Sequence, residues 1–151
     1  MNKLTSILLV EDDEDDQEFF IEALSKIKNV TLYGIVNNGK EALDTLENSA
    51  ILPDFIITDI NMPTMGGIEC LTRIINTPRT KHIPVVMLST DLTKKDLVLK
   101  LGAKAFIPKT FDGKSLYGQL EQMIGLHSTN AGTQSSLSFH HVSPIPFIAT
   151  C

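Results

Sequence analysis

Short apolar runs alternate along the chain with longer stretches in which apolar residues recur every three or four positions. The runs are Ile7-Leu8-Leu9-Val10, TLYGIV at 31–36, DFIIT at 54–58, PVVML at 84–88 and AFIP at 105–108. Each is rich in β-branched or aromatic residues, as a strand buried on both faces must be. Between them, Phe19, Ala23 and Ile27 recur at i, i+4 and i+8, with Phe20 and Leu24 beside them. That period predicts an amphipathic helix over 14–28. Ala42, Leu43 and Leu46 mark a second helix after Gly39, and Ile68, Leu71, Ile74 and Ile75 a third after Gly66-Gly67. Leu97, Val98 and Leu101 mark a fourth, ended by Gly102, a residue that readily adopts the left-handed conformation closing a helix. Leu116, Leu120, Met123 and Ile124 mark a fifth.

The pattern is strand then helix, repeated across residues 4–127, and it predicts an α/β fold. Such alternation implies a parallel sheet with helices on both faces and right-handed crossovers. Ligands of these sheets bind beyond the carboxyl ends of the strands, where the winding reverses. The residues at those ends are Glu11-Asp12 after the first run, Asp59 and then Ile60-Asn61-Met62-Pro63 after the third, Ser89-Thr90 after the fourth, and Pro108-Lys109-Thr110 at the fifth. A parallel sheet places all four sets on one rim.

The first of these sets opens the run EDDEDD at 11–16. Like charges so close repel, and any that leave water add a desolvation cost. One resolution is a helix N-terminus, whose dipole favours negative charge. The other is a cation. Carboxylates with a backbone carbonyl suit Mg²⁺, a hard ion that prefers oxygen ligands and keeps several waters. An Asp beside such an ion can attack a phosphoryl donor and form an acyl phosphate. The added charge then calls for an ammonium and a hydroxyl donor, and Lys109 and Ser89 supply them.

Composition narrows the classes. The 151 residues are 42% hydrophobic and 21% charged, enough for one domain with a real core. A net charge of −5 argues against nucleic acid or an anionic membrane as the main partner. Cys70 and Cys151 form no disulfide framework, no signal peptide is visible, and no apolar stretch approaches the roughly 20 residues that span a bilayer, so a cytoplasmic setting is expected. His82, His127, His140 and His141 show no metal-ligand spacing, and Cys70 reads as a small core hydrophobe. Residues 128–151 contain no Lys, Arg, Asp or Glu and are Ser/Thr-rich before a short apolar end. They read as a flexible tail after a domain over 1–127, with no output domain.

The stretches ILLVEDDEDD, FIITDINMP, PVVMLST and GAKAFIPK resemble, in order and spacing, the receiver domain of two-component response regulators of the stand-alone type. The resemblance covers residues 4–127 and implies a doubly wound, five-stranded parallel sheet of flavodoxin-like order 2-1-3-4-5. It implies that Glu11 and Asp12 form the acidic pair, that Asp59 is the phosphoacceptor, and that Asn61 offers its backbone carbonyl to Mg²⁺ alongside Glu11, Asp12 and Asp59. Ser89 resembles the switch hydroxyl, Lys109 the family lysine and Phe106 the switch aromatic. Asp13 then starts the first helix, with Glu14, Asp15 and Asp16 facing solvent. Asn61 and Asp91 would flank the phosphoryl group and tune its lifetime toward fast self-hydrolysis. The implied partners are a histidine kinase or histidine phosphotransfer protein upstream and a protein target downstream, with the chain a monomer or a phosphorylation-dependent homodimer. Its only chemistry would be its own phosphoryl transfer and autodephosphorylation.

Three residues depart from the family pattern. Thr110 follows Lys109 where Pro is usual, and a cis bond there would cost about 2.5–4 kcal/mol. Glu11 replaces Asp, and Phe106 replaces Tyr and so lacks a hydroxyl. Three rival readings compete. An aspartyl phosphatase would need an acid/base where Asn61 stands. A nucleotide or flavin protein would need a Gly-rich loop after the first strand, and none is present. A degenerate receiver acting only as a phosphorylation-independent binding module is the remaining alternative.

Overall fold

The structure is a computed structural model that describes residues 3–109 and 113–132. Five strands, β1 (Thr5–Val10), β2 (Val30–Val36), β3 (Phe55–Asp59), β4 (Val85–Ser89) and β5 (Ala105–Pro108), pair in parallel in the order β2-β1-β3-β4-β5. They alternate with α1 (Glu14–Ser25), α2 (Gly39–Glu47), α3 (Gly67–Ile75), α4 (Lys95–Leu101) and α5 (Gly113–Gly132), and a 3-10 turn at Leu92–Lys94 leads into α4. The (βα)5 pattern read from the sequence and the strand order implied by the family resemblance are those observed.

Alternation along the strands builds two cores. Ile7 and Leu9 of β1, with Phe55 and Ile57 of β3, pack beneath α1 and α5 against Phe20, Leu24, Leu116 and Leu120. Leu8, Val10 and Ile56 point the other way, into Ala42, Leu46, Leu71 and Ile74 of α2 and α3. A side-chain period of two along each strand sends neighbours to opposite faces, which is why the runs are apolar throughout. Ile7, Leu8, Leu9 and Val10 are all fully buried, and each such side chain stabilises by about 1.5–3 kcal/mol.

Several boundaries differ from the pattern: β1 and β2 begin early, at Thr5 and Val30, α5 runs on to Gly132, into the segment 128–151 read as a tail, and three others bear on packing. β3 and β4 each run one residue later than their apolar runs, so Asp59 and Ser89 are strand residues. Asp59 still pairs with Leu88, and the Ile60 N–H donates to the Leu88 carbonyl at 3.0 Å. Asp54 is excluded because its side chain is taken by β1: its carboxylate accepts from the Ser6 N–H at 2.9 Å and the Ser6 hydroxyl at 3.2 Å. α1 stops three residues short of 28. Lys26 and Ile27 bond back to Ala23 and Leu24, three residues earlier, and Asn29 turns with φ 63°. Ile27 stays buried from within that tighter turn. Gly102 closes α4 at φ 115°, as expected.

The order β2-β1-β3 means the chain winds one way from β1 to β2 and the other way from β3 onward. Helices α1 and α5 lie on one face, α2 to α4 on the other, and the crevice between them opens at the ends of β1 and β3. Among the described residues no helix is long and apolar enough to cross a membrane. Thr110 and residues 133–151 lie outside the described residues.

Candidate functional site

Glu11 extends β1 by one residue, its N–H donating to the Val36 carbonyl at 2.9 Å, and its side chain is fully buried. Its carboxylate accepts from the Asp13 N–H at 3.2 Å through Oε2. Asp12 is exposed beside it. Asp59 ends β3 and is 6% exposed, with Oδ1 accepting from the Ile60 N–H at 2.8 Å. The Asn61 N–H also bonds that carboxylate. Gly67 lies against this turn: a Cβ there would overlap the Asp59 carbonyl oxygen, so only glycine lets α3 start where it does.

Lys109 follows β5, anchored by its N–H to the Ser89 carbonyl at 2.9 Å. Its ammonium sits among three carboxylates: 2.8 Å from Glu11 Oε1, 3.0 Å from Asp16 Oδ2 and 3.2 Å from Asp59 Oδ2. The Asp16 contact is an aligned hydrogen bond. Glu11 Oε1, although close to the charge, has no aligned donor. The three strand-end groups, Glu11, Asp59 and Lys109, 98 positions apart at the extremes, thus converge as the topology requires.

These charges shift one another. Burial raises the Glu11 carboxyl to about 7, helped by the Asp59 charge and opposed by Lys109. Burial also raises Asp59, against the pull of Lys109 and the Ile60 and Asn61 N–H groups. Burial alone would lower Lys109, but its contacts with Glu11, Asp16 and Asp59 outweigh that and hold it above the usual lysine range. The ammonium therefore stays charged, a fixed cation in an acidic crevice.

A family model for the response regulator receiver domain matches residues 7–121. The chain belongs to this family. It is 30% identical over 129 residues to the chemotaxis protein CheY-3 of Vibrio cholerae, covering 82% of this chain and 94% of that protein. It superimposes on the phosphorylated cyanobacterial phytochrome response regulator RcpA with a TM-score of 0.70 at 30% identity, covering 80% of this chain and 91% of the other. The Mn²⁺-bound response regulator Rcp1 gives 0.68 at 28% identity, with 79% and 91% covered. Other relatives are longer: the chain spans 38% of a protein-glutamate methylesterase/protein-glutamine glutaminase of Geobacillus kaustophilus, to which it is 32% identical over 85% of its own length.

Within the receiver, Ser89 is fully buried at the end of β4, and its Oγ accepts from the Asp91 N–H at 2.9 Å. Asp91 caps the 3-10 turn, with Oδ1 accepting from the Thr93 N–H at 3.0 Å and the Thr93 hydroxyl at 2.5 Å. Those bonds hold its carboxyl below the usual range. Asn61 is exposed at the rim. Phe106 is 1% exposed and packs inward with Met87, Val98 and Ala103.

Magnesium is implied by the family, and the donor set fits it. Glu11, Asp12 and Asp59 each bring one oxygen within 4.8 Å of the other two. All are hard carboxylate oxygens, and Glu11 Oε1 is a buried acceptor still lacking an aligned donor.

Asp13 caps α1 as expected, with Oδ1 accepting from the Asp16 N–H at 3.0 Å. Asp16 does not face solvent as the run of acids predicts: its side chain is 17% exposed and turned to Lys109. The signal was in the helical period. Asp16 stands four residues before the buried Phe20 and eight before Leu24, at the head of the inward stripe. Gln17 is a second residue without a sequence-level role. Its amide donates to the Glu11 carbonyl at 2.6 Å and to Asn37 Oδ1 at 3.2 Å, bracing the loop that carries the acidic pair.

Proposed function

We propose that this receiver is a phosphoacceptor switch, phosphorylated on Asp59 from the phosphohistidine of a partner kinase or phosphotransfer protein. The observation that carries the reading is Asp59 itself, a nearly buried carboxylate at the strand end with Lys109 Nζ 3.2 Å away and the acidic pair beside it. A charge is not placed there idly, because burial opposes it.

An Asp59 oxygen forms the new O–P bond as the donor's N–P bond breaks. The imidazole leaves with that electron pair and takes a proton from solvent. Lys109 offsets charge on the phosphoryl oxygens, and the Ser89 hydroxyl turns from the Asp91 N–H to donate to one of them. Glu11, Asp12, Asp59 and the Asn61 carbonyl would hold Mg²⁺, which supplies further positive charge against the phosphoryl group when bound. Movement of Ser89 is coupled to Phe106 in the adjacent strand, changing the surface formed by α4, β5 and α5 that a downstream protein reads. Asn61 and Asp91 flank the group and tune its hydrolysis. Work in the cytoplasm fits the free, buried Cys70 thiol.

The test is intact mass after incubation with phosphoramidate, with and without Mg²⁺, for wild type and Asp59→Asn. One phosphoryl adduct that needs the cation and is lost in the variant is expected. An unmodified wild type would leave the chain a phosphorylation-independent binding module.

A further inference from the structure

We propose that Asp16 is a positioning residue for Lys109, drawing the ammonium toward α1 so that it is shared with the Asp59 nucleophile 3.2 Å away rather than taken up by it, and so setting how fast Asp59 is phosphorylated. The inference rests on the reading of Asp59 as the phosphoacceptor. Asp16 does not touch the reacting atoms in this account; it acts through the lysine.

Three acids surround one ammonium, and they approach from different elements. Glu11 comes from the end of β1, Asp59 from the end of β3 and Asp16 from the first turn of α1. The Asp16 contact is a hydrogen bond at 3.0 Å, and the Glu11 and Asp59 oxygens lie at 2.8 and 3.2 Å. A lysine stem is long and flexible, so an unanchored ammonium goes where the field is most negative. Without Asp16 that place is between Glu11 and Asp59, the two more deeply buried acids. There Lys109, already 3.2 Å from Asp59 Oδ2, would pair still more closely with the oxygens that must attack phosphorus. Asp16 opposes that collapse from the far side.

The geometry makes Asp16 a firm anchor. Its N–H is bonded by the Asp13 cap, and Phe20, one turn on, is 2% exposed in the core. The pair is shielded, with side chains 7% and 17% exposed, so the attraction exceeds that of an open surface pair. Asp16 is thus carried on a rigid element, as a supporting side chain has to be.

The experiment measures the initial rate of adduct formation from phosphoramidate at saturating Mg²⁺ for wild type, Asp16→Ala and Asp16→Asn. The ¹⁵Nζ resonance of Lys109 is recorded for each. A charge-assisted hydrogen bond, partly screened, gives an expected loss of about fivefold in Asp16→Ala, with a shifted Lys109 resonance. Asp16→Asn, which keeps an acceptor oxygen and the same shape, should recover much of the rate and move the resonance less. Wild-type rates in both variants would overturn the proposal. So would a slowed variant whose Lys109 resonance stays in place, since Asp16 would then not act through the lysine. A wild type that takes no phosphoryl group defeats the Asp59 reading and this inference together; a normal wild type with normal variants defeats this inference alone.

Discussion

Lys109 Nζ donates to Asp16 Oδ2 at 3.0 Å and ties the end of β5 to the first turn of α1, 93 residues away in sequence. With Glu11 and Asp59 also in contact, this single ammonium balances a crevice in which burial already opposes two of the three acids. Removing it leaves buried carboxylates without a partner. Metal-free Lys109→Met should therefore lose about 3 kcal/mol of stability in urea denaturation. A variant as stable as wild type would mean the acids find compensation elsewhere.

Gly67 and Gly118 make opposite predictions for the same substitution. A Cβ on Gly67 meets backbone at Asp59 and Ile60, which cannot move without displacing the phosphoacceptor candidate. Gly67→Ala should destabilise by about 2 kcal/mol or more and slow phosphorylation as well. Gly118, on α5, has nothing within 4 Å of such a Cβ. Gly118→Ala should stabilise by about 0.5–1 kcal/mol through helix propensity. Thermal melts of the two variants, shifting in opposite directions, check both.

The fold was legible because a parallel sheet covered on both faces leaves uninterrupted apolar runs, and because strand ends then share a rim. Glu11, Asp12, Asp59 and Lys109 come together on that basis alone. Two kinds of information were not legible in the same way. Strand ends slipped by one residue where hydrogen bonding overrides hydrophobicity: Asp54 is polar but bound to Ser6, and Asp59 is charged yet still pairs in the sheet. Asp16 lies inside a run of six acids whose shared charge masks its place on the inward stripe of α1. That Lys109 would select Asp16, rather than only the strand-end acids, depends on how α1 sits over β5, which no local pattern encodes.

The two rim residues Asn61 and Asp91 carry a prediction about time. Asp91 spends one oxygen on Thr93, through the backbone N–H and the hydroxyl, which fixes the carboxylate at the edge of the site. Its other oxygen and the exposed Asn61 amide remain able to orient water. Replacing both, as Asn61→Met with Asp91→Leu, should lengthen the life of the phosphorylated form by roughly tenfold, the worth of one well-placed hydrogen bond in the transition state. Decay of the adduct followed by intact mass gives the answer directly. An unchanged lifetime would remove both residues from the hydrolysis.

The last prediction concerns pH and lies at the opposite end of the sheet. Asp54 accepts from the Ser6 N–H and hydroxyl, while its own N–H donates to the Ser6 carbonyl at 2.9 Å, so the starts of β1 and β3 are clipped together. Partial burial would raise the Asp54 carboxyl, but the Ser6 bonds and the Lys3 ammonium at 3.4 Å outweigh it and hold the group below its usual 3.8. A carboxyl depressed in the folded state binds fewer protons there than in the unfolded chain. Its stabilisation is therefore complete above the ordinary aspartate value and is lost as pH falls through the lower folded value. Lys3 is exposed, so most of the effect comes from Ser6 and should resist salt. Asp54→Asn should cost about 1–2 kcal/mol at pH 7. The gap between the variant and wild type should narrow as pH falls through that lowered value, where the wild-type carboxyl is itself protonated. Urea midpoints for both proteins between pH 7 and pH 2.5, at low and high salt, would show it. A gap that stays constant with pH would assign the clip to shape rather than to charge.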